Sequence, residues 1–151
     1  DLNDAAWSVI VNNRLAYSGI YKANPLGGKD GKKTQLLSRW NPTSLIKRIK
    51  LIYAMRDRIK VLNIDACELI EEAYWDAQAT ILVDPPYYRQ GEHLYHCYYK
   101  KDDHIKLNVL LEGLYYEFPG ADIILCYDNE PFIENLYLYP DIEKVSRVYC
   151  I

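Results

Sequence analysis

The first apolar pattern along the chain has helical spacing and lies in residues 4–15, behind a polar cap at Asn3 or Asp4. Its apolar members are Trp7, Ile10, Val11 and Leu15. The spacing predicts a short buried helix. Residues 18–41, which follow, contain several glycines and five Lys or Arg residues and have neither a helical nor a strand period. This composition predicts a basic loop.

A second helical pattern begins with Asn41 as N-cap and Pro42 at the first helical position, and it continues to about Lys60. Its expected inner face consists of Leu45, Ile49, Ile52 and Ile59. Most of its basic residues fall on the opposite face. The pattern therefore predicts an amphipathic helix with a charged outer surface.

After residue 60 the pattern changes to strands alternating with helices. The predicted strands are 61–64, 80–83, 122–127 and 145–150. The predicted helices are 67–73, one that Asp102 and Asp103 cap, and 130–138, and the middle helix carries an apolar stripe of Leu107, Leu110, Leu111, Leu114 and Phe118. This order predicts an α/β fold with a mostly parallel sheet and helices on its faces. Ligands bind such sheets beyond the carboxyl ends of the strands.

Composition limits the class of protein. The chain has 151 residues, of which 50% are apolar and 26% charged, so it can bury a core of about one domain. The longest unbroken apolar runs have five residues, far below the roughly 18 that a membrane-spanning helix needs. Four cysteines lie far apart, which is typical of reduced thiols in the cytosol. We expect a soluble protein without a membrane partner.

The net charge of -3 conceals an uneven distribution. Residues 14–60 carry a net charge of +10, whereas residues 61–151 carry -11. A basic third of the chain indicates a surface for a polyanion, although a solvated helix face would explain it equally well. The lysines and the arginine of the glycine-rich loop, where no core would require them, are candidates for phosphate contacts: Lys29, Lys32, Lys33 and Arg39.

The candidate chemistry lies at the carboxyl end of the predicted strand 80–83, in the sequence Asp84-Pro85-Pro86-Tyr87. Two prolines fix the backbone and remove two N–H donors, so that carbonyl oxygens can face a ligand. An exocyclic amine of a nucleobase is a poor nucleophile until acceptors hold its N–H groups. The Asp84 carboxylate and the Pro85 carbonyl can be these acceptors, and Tyr87 can stack on the base. The matching electrophile would be a methyl sulfonium.

This motif resembles the Asp-Pro-Pro-Tyr motif of the Dam-like, or alpha-class, adenine-specific DNA methyltransferases. Two further stretches are similar to that family: Asn13-Arg14 followed by 17–22, and 124–129 before a helix. Leu94-Tyr95 and Asp103-His104 also fit its catalytic loop. The resemblance implies a partial Rossmann-like methyltransferase sheet with a basic loop and helix insertion.

The resemblance also implies S-adenosylmethionine as cofactor and double-stranded DNA as partner, and no protein partner is predicted. Residues 14–60 would contact DNA and residues 61–151 would carry the catalytic strands and helices. Restriction-modification or phage or host DNA modification, in the cytoplasm of a bacterium or an infected cell, is the expected setting. The expected catalytic residues are Asp84, Pro85, Pro86 and Tyr87, and the expected DNA-binding residues are Asn13, Arg14, Tyr17, Ser18, Lys22, Lys29, Lys32, Lys33 and Arg39.

The chain departs from the family at its start, where the Phe-x-Gly-x-Gly turn that holds much of the cofactor has no counterpart. We therefore expect 1–151 to be a truncated catalytic domain. Asp65 matches the family position next to the cofactor's adenine and joins Asp84 as a cofactor-binding candidate, but Ala66 follows it where an aromatic residue is usual. A helix N-cap is an equally good interpretation of Asp65.

Other functions remain open at this point. The same motif could methylate RNA or a protein glutamine, and the +10 segment argues against a protein substrate. A remnant that binds DNA without catalysis is a further alternative. His93, His96, Cys97 and His104 have the side chains of zinc ligands, but their spacing fits no common zinc template, so no metal site is predicted.

Overall fold

The computed structural model describes residues 1–20, 22–89, 91–94 and 97–146, without the side chains of His93 and Leu94. The chain forms two compact units, Asp1–Asn63 and Ile64–Ile151. No helix in the described part of the chain is long and apolar enough to cross a membrane.

The amino-terminal unit begins with helix α1, Leu2–Leu15. Its N-cap is Asp1, whose Oδ1 accepts a hydrogen bond from the Asp4 amide at 2.9 Å. The predicted cap at Asn3 or Asp4 is therefore wrong, because Asp1 already provides the carboxylate one turn earlier. The predicted burial is also wrong: no residue of α1 is fully buried. Trp7 is 57% exposed and meets the ring of Trp40 edge-on at 5.7 Å.

The predicted basic loop is confirmed, with two short helical segments in it. A 3-10 turn spans Tyr17–Gly19, and helix α2 spans Lys33–Leu36. The first part of the loop is closed by two backbone hydrogen bonds, from the Tyr17 amide to the Asn24 carbonyl at 2.9 Å and from the Leu26 amide to the Leu15 carbonyl at 2.8 Å. These bonds bring the loop back to the end of α1.

Helix α3, Pro42–Ala54, begins as the sequence predicts: the Asn41 side chain accepts from the Ser44 amide at 3.0 Å. It ends earlier than predicted, and a 3-10 turn, Arg56–Arg58, follows. Its expected inner face is wrong within this unit, since Leu45 is half-buried while Ile49, Ile52 and Ile59 are exposed. The apolar period identifies which face of the helix could be buried, but it does not show whether another helix or strand packs against that face.

The carboxy-terminal unit is built on two parallel strands, β1 (Thr80–Val83) and β2 (Asp122–Leu125). In their register Thr80 pairs with Asp122 and Val83 with Leu125. The strand β1 has the predicted bounds, and β2 ends two residues early, although the Cys126 amide still donates to the Val83 carbonyl at 2.9 Å. The α/β class and the parallel pairing are confirmed.

Two other predicted strands are not found. Residues 61–64 are exposed and form no strand, because an apolar run of four residues becomes a strand only where a neighbouring strand offers its hydrogen bonds. A strand was also predicted for residues 145–150. Val145 and Ser146 are not in a strand, and residues 147–150 lie outside the described residues.

Helices α4 (Ala66–Tyr74), α5 (Gly91–Leu94), α6 (Lys101–Glu117) and α7 (Pro131–Leu136) complete this unit. The core contains Ile70, Tyr74, Val83, Leu107, Leu111, Leu114, Ala121, Ile133 and Tyr137. The predicted stripe of α6 is buried at Leu107, Leu111 and Leu114 and half-buried at Leu110. The prediction that Phe118 belongs to this buried stripe is wrong. Phe118 is 46% exposed, because the chain leaves the helix there in an extended conformation.

The start of α6 also differs from the prediction. Lys100 is the N-cap residue, and Asp103 contributes from the first turn by accepting the Lys100 amide proton at 2.9 Å. The carboxylate still satisfies a backbone N–H and lies near the positive end of the helix dipole. The prediction of a carboxylate at this helix end is thus correct for Asp103, but the N-cap residue itself is Lys100 and not Asp102 or Asp103.

Gly120 fixes how the chain enters β2. A Cβ atom at this position would clash with the Tyr74 carbonyl oxygen and would lie 2.6 Å from the Tyr74 ring, so only glycine fits. The next amide, of Ala121, donates to the same carbonyl at 2.8 Å. Tyr74 in turn places its hydroxyl 2.9 Å from the Leu114 carbonyl oxygen. Through these two hydrogen bonds, Tyr74 of α4 contacts both α6 and the residue that precedes β2.

Candidate active site

Asp84 is the first residue beyond β1, at the sheet edge where both parallel strands end. Its side chain is exposed and forms no hydrogen bond or ion pair with the described part of the chain. Pro85 beside it is buried, and Pro86 and Tyr87 are half-buried. A carboxylate thus faces solvent from a rigid backbone segment that is itself anchored in the protein. This is the position at which open α/β sheets bind ligands.

The chain that follows β2 holds the segment after Tyr87. The Tyr88 amide donates to Oδ1 of Asp128 at 3.2 Å. Arg89 Nε lies 2.9 Å from Oε1 of Glu130, whose side chain is 14% exposed. A third bond, from the Gly91 amide to the Tyr87 carbonyl at 2.8 Å, closes the turn. The candidate catalytic loop is therefore tethered on its carboxyl side.

An aromatic cluster underlies the same loop. The Tyr88 ring stacks on Phe132 with centroids 4.4 Å apart and an angle of 27°, and it meets His104 edge-on at 5.4 Å. His104 is fully buried, and its Nδ1 lies 2.7 Å from the Tyr127 hydroxyl. Tyr99 also meets the His104 ring edge-on, with centroids 5.3 Å apart. The side chain of Tyr88, like its amide, is thus fixed by neighbours.

Burial keeps the hydrogen-bonded pair His104 and Tyr127 of this cluster uncharged. Loss of solvent lowers the pKa of His104, and the nearby carboxylates of Asp103 and Asp128 only partly oppose this effect. Loss of solvent also raises the pKa of Tyr127 well above its ordinary value. At neutral pH the hydrogen bond therefore joins a neutral imidazole and a neutral phenol. The neutral ring can accept the hydroxyl proton at Nδ1.

Sequence reasoning did not assign roles to Asp128, His104 and Tyr127. The signal was present in part, because Asp103-His104 and 124–129 belong to the stretches that resemble the family. Contact between residues 40 positions apart, such as Tyr88 and Asp128, follows only from the parallel pairing of β1 with β2.

Asp65 is the N-cap of α4, with Oδ1 accepting from the Cys67 amide at 2.9 Å. Burial and the nearby Asp65 carboxylate raise the pKa of the Cys67 thiol. Asp65 follows residues 61–64, which were predicted as a strand and form none. Its role toward a cofactor stays a prediction, and its exposed side chain leaves that role sterically open.

Three of the predicted DNA-binding side chains make contacts within the amino-terminal unit. Asn13 Nδ2 donates to the Gly19 carbonyl at 3.3 Å. Arg14 donates to the Arg39 carbonyl from Nε at 2.9 Å and also from Nη2, and Arg39 Nη1 donates to the Ala16 carbonyl at 3.2 Å. These bonds give Asn13, Arg14 and Arg39 a structural role in joining the end of α1 to the loop. Their DNA contacts stay predictions.

The remaining DNA-binding candidates expose their side chains, namely Tyr17, Ser18, Lys22, Lys29, Lys32 and Lys33. Ser18 has φ of 52°, in the left-handed region, inside the 3-10 turn Tyr17–Gly19. Gly27 and Gly28, just before Lys29, also have positive φ. The backbone turns sharply at both places, so that the loop presents its polar and basic residues to solvent.

The family profile of the D12 class N6 adenine-specific DNA methyltransferases matches residues 1–151. The chain belongs to this family. No curated protein and no solved structure matched the chain. The match confirms the resemblance that the Asp84–Tyr87 motif indicated, and it establishes the enzyme class as adenine-specific DNA methyltransferase. DNA is accordingly the substrate class of this methyltransferase.

The methyltransferase has no group of three or more His, Cys, Asp or Glu side chains that could hold a metal ion, as far as the described residues extend. Among the zinc-ligand types noted in the sequence, His104 belongs to the aromatic cluster and Cys97 is exposed. The side chains of His93 and His96 lie outside the described part of the chain.

Proposed function

We propose that this methyltransferase transfers the methyl group of S-adenosylmethionine to the exocyclic amino group of an adenine in double-stranded DNA. The observation that carries the proposal is the exposed Asp84 carboxylate beside buried Pro85, at the edge where two parallel strands end. The family match supports the adenine and DNA parts of the proposal.

In this mechanism the Asp84 carboxylate and the Pro85 carbonyl accept the two N–H groups of the adenine amine. These bonds hold the amine so that its lone pair points at the methyl donor and is less delocalised into the ring. Pro85 and Pro86 contribute no N–H donor, so the segment offers acceptors to the amine. Tyr87 stacks on the base. Such donor and acceptor positions act most strongly when they are fixed before the substrate arrives.

The described residues fit part of a site for S-adenosylmethionine, which when bound supplies an electrophilic methyl group on sulfur. Asp84 has an exposed carboxylate without a partner among them, which suits a cationic or N–H-bearing ligand. Asp65 is also exposed, but one of its oxygens already accepts the Cys67 amide. We assign both to cofactor binding, with Asp84 close to the reacting atoms.

The target adenine must leave the base stack, because its amine is paired inside the duplex. We assign DNA contact to residues 14–60, in which the exposed lysines would neutralise phosphates. We assign catalysis to residues 61–151. In a cell this activity would serve restriction-modification or the modification of phage or host DNA, in the cytoplasm of a bacterium or an infected cell.

The test is methyl transfer by the full-length protein from labelled S-adenosylmethionine to duplex DNA from a host without adenine methylation. Nucleoside analysis should find N6-methyladenine. Asp84→Ala should abolish incorporation and leave duplex affinity within a few-fold, because the carboxylate acts on the amine while phosphate contacts give most of the affinity. Asp122→Ala removes an exposed carboxylate at the opposite end of the sheet and should keep wild-type activity.

Each contrary outcome has a definite meaning. An Asp84→Ala enzyme with a tenth of the wild-type rate would remove Asp84 from its role. Label in RNA and not in DNA would change the substrate. Duplex binding by a wild-type protein that incorporates no label would identify a DNA-binding remnant.

A further inference from the structure

The candidate catalytic loop has few backbone donors by which the protein can fix it. Pro85 and Pro86 have no N–H group, so beyond the ladder bond at Val83 the loop is held by residues on the carboxyl side of the prolines. Tyr88, directly after Tyr87, is held twice: its amide by Asp128 at 3.2 Å and its ring by stacking on Phe132. Arg89, the next residue, has an exposed side chain. Tyr88 is therefore a point at which the loop is attached, beside the Arg89–Glu130 ion pair.

The acceptor that holds this point comes from the neighbouring strand. Cys126 continues the ladder by donating to Val83 at 2.9 Å, so both chains leave the sheet side by side. Asp128 follows two residues later with a half-buried side chain. The Asp128 backbone carbonyl accepts from the Glu130 amide at 2.9 Å, which restrains the segment that carries the carboxylate. In this partly desolvated setting a hydrogen bond to the amide is stronger than the same bond in water.

We propose that Asp128 is a positioning residue for methyl transfer. By fixing the Tyr88 amide it sets the direction of the Tyr87 ring and the Pro85 carbonyl toward the adenine amine. Asp128 itself does not touch the substrate. The inference rests on the proposed function, since it assigns a residue to the same site.

What matters in this role is the location of one acceptor oxygen, and charge is secondary. Asp128→Asn keeps an oxygen at the same distance from the backbone and can accept the same amide proton. Asp128→Glu keeps the charge but moves the carboxylate by one methylene. Asp128→Ala removes the acceptor. The role therefore predicts the activity order Asn, then Glu, then Ala, whereas direct electrostatic action on the reaction would place Glu above Asn.

The experiment measures kcat, the KM for duplex DNA and thermal unfolding of these variants in the full-length enzyme. Asp128→Ala should lower kcat by about tenfold to a hundredfold, because small misplacement of reacting groups has effects of that size. The KM for DNA should stay within about threefold, since phosphate contacts lie elsewhere. Asp128→Asn should retain kcat within about threefold. Asp122→Ala, which removes the same charge from the other end of β2, is the control.

A second readout reports the attachment itself. Hydrogen exchange of the Tyr88 amide should be faster in Asp128→Ala and Asp128→Glu than in the wild type, and nearly unchanged in Asp128→Asn. The comparison of Asn with Glu decides the matter even if the Ala variant fails to fold. Higher kcat for Glu than for Asn, or wild-type kcat for Ala, would overturn the positioning role while the proposed function stands. A wild-type protein that transfers no methyl group from S-adenosylmethionine would overturn both.

Discussion

At the scale of single residues, substitutions of Tyr87 can distinguish the contribution of its ring to methyl transfer from that of its hydroxyl. The side chain is half-buried, three residues after the exposed Asp84. Base stacking is worth roughly 1–3 kcal/mol and needs a ring alone. Tyr87→Ala should therefore reduce methyl transfer severely, and Tyr87→Phe and Tyr87→Trp only mildly. Rates at saturating DNA measure the difference, and equal damage in Phe and Ala would point to the hydroxyl.

His104 should make the stability of the protein depend on pH. Burial lowers the pKa of this ring in the folded state, so the unfolded chain binds more protons below its ordinary pKa of about 6.5. The free energy of unfolding should thus be highest above pH 6.5 and fall as the pH drops below it. One proton limits the slope to about 1.4 kcal/mol per pH unit.

Denaturant titrations between pH 7.5 and 5 measure this slope for the wild type and for His104→Asn, whose side-chain oxygen can occupy a place near Nδ1. The variant should lose part of the slope. Because the other histidines are identical in both proteins, parallel curves would mean that His104 does not become protonated on unfolding in this range.

At the scale of elements, the amino terminus of α4 tests two interpretations of Asp65. Its carboxylate caps the helix by accepting the Cys67 amide. Asp65→Ala should lower the free energy of unfolding by about 1 kcal/mol, and Asp65→Asn by much less, because an amide oxygen also caps. Glu72→Ala, an exposed charge removed from the same helix, should change stability by less than about 0.5 kcal/mol.

The same variants report on the cofactor. If Asp65 binds S-adenosylmethionine, Asp65→Asn should remain stable and raise the KM for the cofactor. An Asp65→Asn enzyme with wild-type stability and wild-type KM for the cofactor would exclude cofactor binding by Asp65 and leave helix capping as its role. Loss of stability in Glu72→Ala equal to that in Asp65→Ala would argue against the cap.

At the scale of the whole molecule, the two compact units differ in charge. The first 63 residues carry 12 Lys and Arg residues against four acids, and the rest carries 6 against 17. If the exposed Lys32 and Lys33 contact phosphates, their replacement by Ala should make the slope of log affinity against log salt shallower by about 1 to 2. Affinity for all sequences should decrease alike.

Filter binding of the full-length protein at several salt concentrations, on matched and scrambled duplexes, measures both effects. An unchanged slope would make these lysines a solvated surface. Loss of affinity for one sequence with an unchanged slope would mean that these lysines contact base edges instead of phosphates. The loop would then read the recognition site.

The sequence by itself determined the local features of this methyltransferase. Strand β1 has its predicted bounds, α3 begins at the predicted Asn41 and Pro42, and the stripe of α6 is buried at its three central leucines. The motif Asp84–Tyr87 led to the correct family. Each of these features depends on residues that are neighbours along the chain or one helical turn apart, so its signal is complete in a short window.

Only the tertiary structure decided which apolar patterns found a partner and which distant residues meet. Residues 61–64 have the composition of a strand but form none. The apolar face of α3 stays largely exposed and that of α1 is only half-buried at Ile10, Val11 and Leu15, because burial requires a second surface that a one-dimensional pattern does not contain. The contact of Asp128 with Tyr88 likewise exists because β2 pairs in parallel beside β1. That pairing brings together two chain segments 40 residues apart, and no local propensity encodes it.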